Sequence, residues 1–202
     1  MPTRFLKERI MKLLRWMILP AALLLAVICA SGQDPNVKHY DKDGLSFDYP
    51  ANWQFSDQSS AQMQYIQMAR DGYAEIRIRA PREWLKTPEK EAAAKKLIQD
   101  QYVDSFVSQI QQAQMNPKRS TGTTQIAAKD AQGDKVRAVM DGEPGGMDSY
   151  FNIIEDRLVQ MSIIGSEKEI AKSAPVWDMV RNSLKVTPAP KPSPTPTPKG
   201  KP

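Results

Sequence analysis

Two hydrophobic periods alternate along the chain, and their order predicts its architecture. Leu45, Phe47 and Tyr49 alternate with Ser46 and Asp48, the period of two that marks a half-buried strand, and Pro50 ends the run. "QYIQMAR" (64–70) and "YAEIRIRA" (73–80) are two more strands, joined across Asp71-Gly72, a favoured hairpin turn. In the second, Ala74, Ile76, Ile78 and Ala80 share one face while Glu75, Arg77 and Arg79 share the other. The period then lengthens. Thr87 can cap a helix, Pro88 suits its first position, and Glu89 and Glu91 complement the positive end of its dipole. Ile98, Tyr102, Val103, Phe106, Val107 and Ile110 form a stripe at helical spacing that fades by Met115, which predicts one long helix lying against a sheet.

Four further strands are predicted in "TTQIAAK", "KVRAVMD", "DSYFNII" and "LVQMSIIG", with turns at "DAQGD", "EPGG" and "EDR". Ser166, with Glu169 three residues on, forms a capping box for a last helical region. Pro175 is expected to kink or divide it, and Val176, Trp177, Val180 and Leu184 supply its packing face. Hairpin-length connections require antiparallel neighbours. Strands such as "FNII" and "MSII" are apolar on both sides, which calls for helices on both faces of the sheet. The predicted class is α+β: an antiparallel β-sheet sandwiched between a long central helix and a C-terminal helix.

The ends of the chain read differently. The 202 residues carry a formal charge of +5, but residues 1–30 contribute +4 and the last sixteen contribute +3, which leaves −2 for the centre. No nucleic-acid-binding domain is therefore expected. A basic stretch ending at Arg15 precedes the uncharged "WMILPAALLLAVICA", with Ser31 and Gly32 after it. This is the layout of a signal peptide over 1–30, and the run is short and broken by Pro20 for a membrane span. Met11 would serve as a start as well as Met1. Three fates stay open: ordinary cleavage, lipidation at Cys29 (with the bulky Ile28 before it) and retention as an anchor. Cys29 is the only cysteine, so an exported domain that loses it has no disulfide and no thiol chemistry. A polar leader (31–36) precedes the folded domain (37–187), and a Pro-rich tail (188–202) follows, expected to be extended and without packed structure.

Within the domain, Gly44, Leu45, Phe47, Pro50 and Trp53 follow the pattern G-[FL]-x-[FY]-x-x-P-x-x-W. With the closing "VWDMVRNSLKV", which fits a final helix ending in S-[FL]-x-[VI], this resembles the PsbP-like and DcrB-like extracytoplasmic proteins over about 40–187. The resemblance implies a helix-flanked antiparallel sheet, a Pro that turns the chain after the first motif strand, a Trp packed beneath the sheet, export, and binding or assembly in place of catalysis. Photosynthetic members help hold calcium and chloride at the oxygen-evolving centre; that partner is not carried over to this chain.

Chemistry is harder to place. His39 is the sole histidine, with no second imidazole or nearby thiol to build a transition-metal site. "DKDG" (41–44) opens like a calcium loop but lacks the later oxygen ligands, and it reads as a solvated turn. There is no G-x-S-x-G, no phosphate-loop context and nothing to select a carboxylate pair, so no catalytic residue, metal or cofactor is assigned. The candidate binding surface is rich in arginine: Arg70, Arg77 and Arg79 on or beside one hairpin, with Arg82 and Trp84 just after it. Arginines sharing a strand face lie about 7 Å apart and can receive a carboxylate, phosphate or lipid headgroup. The competing reading pairs them with Glu75, Asp71 and nearby acids on a wet sheet edge. Trp53, Trp84 and Trp177 are expected as core or rim packing. The leading expectation is a monomeric, non-catalytic module, periplasmic or secreted, whose partner is a protein or anionic ligand of the cell envelope. It would touch membrane only through an uncleaved signal or a lipidated Cys29. The alternatives are a carrier of a lipid or small ligand, with a pocket between sheet and long helix, and a hydrolase with an unrecognised site.

Overall fold

The computed structural model describes residues 36–140 and 142–188; the signal peptide, Cys29, most of the leader and the tail from residue 189 lie outside the described residues. Strands β1 (Val37–Lys42) and β2 (Leu45–Pro50) form a hairpin closed at Asp43-Gly44, where Gly44 takes φ +76° at no steric cost. The short β10 (Lys185–Val186) pairs with the other edge of β2, giving a three-stranded antiparallel sheet. A seven-stranded sheet contains β3 (Gln54–Asp57), β4 (Met63–Ala69), β5 (Glu75–Pro81), β6 (Lys118–Ile126), β7 (Lys129–Met140), β8 (Glu143–Ile154) and β9 (Arg157–Ser166). Its order is β3-β4-β5-β9-β8-β7-β6, with every pairing antiparallel.

Helix α1 (Pro88–Ile98) runs through a π-helical turn (Gln99–Asp104) into α2 (Ser105–Gln112), and α3 (Glu167–Ser183) closes the domain. Both faces of the large sheet carry apolar clusters, and each is covered. On one face Ile66, Ile76, Ile78, Val159 and Met161 join Trp177 and Val180 of α3 and Leu45 and Phe47 of β2 in the main core. On the other, Val103 and Ile110 pack on Val136, Ala138 and Met147, while Ile98 packs on Leu85 and Leu158. The fold is thus α+β, with antiparallel sheets flanked by helices. The small sheet shares a face with α3, a layer that sequence periodicity did not reveal.

The two halves of the sequence motif meet in that layer. Val186 pairs with Leu45 and Lys185 with Ser46, and the Asp48 amide donates to the Ser183 hydroxyl at 2.8 Å. Pro50 ends β2, and Trp53 is buried at 5% exposure against Tyr73. The sheets are pinned together by Arg157, which is 1% exposed. Its guanidinium donates to the carbonyls of Pro81 (2.9 Å), Asp43 (3.1 Å) and Ala80 (3.1 Å), and to the Gln64 side chain.

Several expected turns are displaced. "DAQGD" and "EPGG" lie inside β7 and β8, because their glycines serve close strand approach. A Cβ on Gly133 would sit 1.9 Å from the Ser149 carbonyl oxygen, and one on Gly146 would sit 1.8 Å from that of Val136. The β6–β7 turn instead falls at Ala127-Ala128, inside "TTQIAAK", with φ of 53° and 59°. The β7–β8 connection has Gly142 at φ 83°. The "EDR" turn falls as expected, at Glu155-Asp156, and so does the Asp71-Gly72 turn between β4 and β5. "DKDG" supplies the end of β1 as well as a turn. Pro175 divides nothing: α3 runs through it, and the capping box is present, with the Glu169 amide 3.3 Å from the Ser166 hydroxyl.

Candidate functional site

Strand parity decides which arginines meet. In β5, Ile76, Ile78 and Ala80 fill the main core, so Glu75, Arg77 and Arg79 point to the face covered by α1 and α2. Tyr65 and Gln67 of β4 stand opposite Arg79 and Arg77 on that face, and Gln160 and Ser162 of β9 flank them on the other side. The π-helical turn lays Tyr102 over the cluster.

The two arginines are held differently. Arg77 is matched: its Nε and Nη2 donate to both carboxylate oxygens of Glu75 at 2.7 and 3.0 Å, and that contact holds its pKa up. Gln67 also donates to Glu75 at 2.9 Å. Arg79 has no carboxylate partner among the described residues. Its guanidinium lies against two rings, 4.6 Å from the centroid of Tyr65 and 4.2 Å from that of Tyr102. It donates to Gln160 Oε1 at 3.1 Å and reaches the Tyr65 hydroxyl at 3.5 Å. Burial pushes its pKa down, and the Tyr65 and Tyr102 hydroxyls offset this only in part. Gln160, fully buried, passes its own amide to the Ser149 hydroxyl at 2.8 Å, and the buried Ser162 hydroxyl has no hydrogen-bond partner among the described residues.

Beside this cluster is a cavity of about 140 Å³, lined by Arg77, Arg79, Gln101, Tyr102, Phe106 and Met147 among others. It is the space between sheet and helix that a carrier would use. Its volume, about that of five waters, admits a small molecule and no lipid chain. A larger groove of about 810 Å³ opens where β7 and β8 part beyond Gln132 and Phe151. Two of its charged residues are engaged within the protein: Arg181 bonds Asp178 and the Gln125 carbonyl, and Asp130 accepts from Gln125. Among the described residues no group of three or more His, Cys, Asp or Glu side chains is placed to hold a metal ion. His39 is exposed beside Asp48 at 2.6 Å.

The five residues of the expected surface do not form one patch. Arg77 and Arg79 share the helix-covered face. Arg70, at the β4–β5 turn, lies over Tyr73 at 4.8 Å. Arg82, beyond the opposite end of β5, donates to Asp43 at 2.8 Å and to the Ser60 carbonyl at 2.8 Å. Trp84 is half-buried in the connection to α1. Sequence reading missed Tyr65, Tyr102 and Gln160. The signal for Tyr65 was present, since it alternates with Ile66 and Met68 and so had to share the arginine face.

No family model and no curated protein matches the chain. Solved structures do. The class of protein that the topology defines, a helix-flanked antiparallel α+β domain, includes the cyanobacterial PsbP (CyanoP) of Synechocystis. That solution structure aligns with a TM-score of 0.50 at 12% identity, over 79% of this chain and 97% of its own. A crystal structure of PA94, a protein of unknown function from Pseudomonas aeruginosa, matches at 14% identity over 77% and 99%, with a TM-score of 0.37. This chain has a PsbP-like fold. Among the described residues no helix is long and apolar enough to cross a membrane.

Proposed function

We propose that the chain is an exported, non-catalytic binding or assembly module that recognises an anionic group on its ligand or partner through the face carrying Arg77 and Arg79. The observation that carries this reading is Arg79, a guanidinium held against two tyrosine rings, without a carboxylate partner among the described residues, beside an open cavity. A cation partly removed from water is costly unless it is paired, and an anion delivered by a ligand would complete the site. The signal layout of residues 1–30 supports export, and the fold shared with CyanoP supports a binding domain.

The test is a crosslinking capture of the tagged full chain from its own envelope, repeated with Arg79→Gln and with residues 188–202 removed. Loss of partners with Arg79→Gln is the expected result. Capture unchanged by Arg79→Gln but abolished by truncation assigns binding to the tail and overturns the reading. Turnover in a broad hydrolase screen would overturn its non-catalytic part.

A further inference from the structure

We infer that the cavity beneath the π-helical turn binds a small monocarboxylate with a short apolar tail, its carboxylate on Arg79 and its tail against Phe106, Met147 and Ile164. This deepens the proposed function and rests on its anion-binding face.

Charge selects a monoanion. Arg77 and Glu75 cancel through two hydrogen bonds, so the cluster offers one uncompensated positive charge, on Arg79. A phosphate monoester carries close to two negative charges and three strong acceptors, which this site does not match. Geometry selects an edge-on ligand. The Tyr102 and Tyr65 rings lie 4.2 and 4.6 Å from the Arg79 guanidinium, and two of its five N–H groups are engaged. The remaining N–H groups point outward in the guanidinium plane, where a planar carboxylate can accept from them.

Volume limits the tail. The cavity of about 140 Å³ is close to the scale, about 150 Å³, at which an engineered apolar cavity takes benzene. A tail of about four to six carbons fits with the carboxylate at the arginine side, and a ten-carbon chain would extend beyond the mouth. The apolar end is supplied by Phe106, Met147 and Ile164, and the mouth by the exposed Gln101 and Gln109. The position of the π-helical turn agrees, since such turns recur at functional sites, and here one contributes two of the lining residues, Gln101 and Tyr102.

The test is titration of the full chain, followed by amide chemical shifts, with acetate, butyrate, hexanoate, decanoate, hexanol and hexyl phosphate. Affinity should rise about fourfold per methylene up to hexanoate and gain nothing further per methylene toward decanoate. Hexanol, with the same tail and no charge, should bind at least about tenfold more weakly than hexanoate, because the charge-assisted contact is gone. Arg79→Gln should weaken hexanoate by a similar factor. Gln109→Trp, a change at an exposed mouth position, should do the same by occlusion and serves if Arg79→Gln fails to fold. Hexanoate binding that is absent, or unaltered in both variants, overturns the inference. Preference for hexyl phosphate at Arg79 overturns the carboxylate while leaving the anion-binding function standing. Failure of every anion removes the inference, and the envelope capture then judges the function alone.

Discussion

Replacing Arg157 with methionine isolates what holds the two sheets together. Arg157 is 1% exposed and bonds four acceptors: three carbonyls, on Asp43, Ala80 and Pro81, and the Gln64 side chain. Methionine fills similar length and donates nothing. Hydrogen bonds to charged groups contribute about 1.5–3 kcal/mol each, and an orphaned buried acceptor costs about 1–3 kcal/mol. Four such losses would rival the whole stability of a domain, about 5–15 kcal/mol. Two effects reduce the sum. Burying the guanidinium is itself unfavourable: burial pushes its pKa down, and the nearby Arg82 charge adds to that. Asp43, moreover, lies in an exposed turn where water can replace the arginine. The expected cost is therefore about 3–5 kcal/mol, the range for removing one partner from a buried charged contact. Urea unfolding at a common m-value measures it, with Arg82→Met as the control. Arg82 grips the same hairpin through the Asp43 carboxylate at 2.8 Å, but from a partly exposed position, so its loss should cost only about 0–1 kcal/mol. If Arg157→Met stays within about 1 kcal/mol of the parent, or Arg82→Met costs as much, burial is not what makes Arg157 matter.

Trp53→Ala should cost about 3–5 kcal/mol, since the ring is 5% exposed in the main core beside Tyr73; thermal unfolding with an unchanged shift would make Trp53 a contact residue instead. Ala128→Gly should stabilise the domain by up to about 1 kcal/mol, because Ala128 is exposed with φ 59° in a turn that favours glycine; a loss of stability in urea would refute this. The Asp57 carboxyl should titrate at about 2 by carbon-detected NMR. Burial raises its pKa, but bonds from Ser59 and from Lys42 at 3.0 Å outweigh burial. Its pKa is lowered on folding, so its contribution is present above the ordinary carboxylate value, about 4, and is lost as pH falls toward 2. A midpoint at or above about 3.5, the mean for folded aspartates, would contradict that balance.

What the sequence made legible follows from how local its causes are. Alternation in β4 and β5 and the helical stripe ending at Ile110 depend on side chains a few residues apart, and both were readable. The Ser166–Glu169 capping box is likewise local. The misplaced turns had non-local causes. Gly133 and Gly146 resemble turn residues, yet each is required by a neighbouring strand's carbonyl, which no local pattern announces. Ala127-Ala128 makes a turn without the usual turn residues, held by the Ala127 amide donating to the Arg181 carbonyl at 2.9 Å. Strand β1 was hidden because most of it is exposed and polar, with only Tyr40 buried. The two-residue β10 is too short to carry a period at all.

The candidate site shows the same boundary more sharply. Period two places Arg77 and Arg79 on one face without any structure, and from sequence they look interchangeable. Their difference arises in three dimensions. Glu75, two residues before Arg77 on the same face, reaches it and cancels its charge. The residue two further on from Arg79 is Pro81, whose ring offers no anion. Arg79 must therefore draw on other elements, and it receives two tyrosine rings and an amide oxygen, none of which carries a negative charge. A cation over aromatic faces gains about 0.5–2 kcal/mol from them, depending on its exposure, which makes the folded state tolerable and leaves its charge uncancelled. A structural arginine can commit most of its donors to carbonyls, as Arg157 does with four acceptors. Arg79 engages two donors and faces an opening. That contrast between a buried arginine with four acceptors and a half-buried one with two separates the residue that builds the fold from the residue that the fold presents to a ligand.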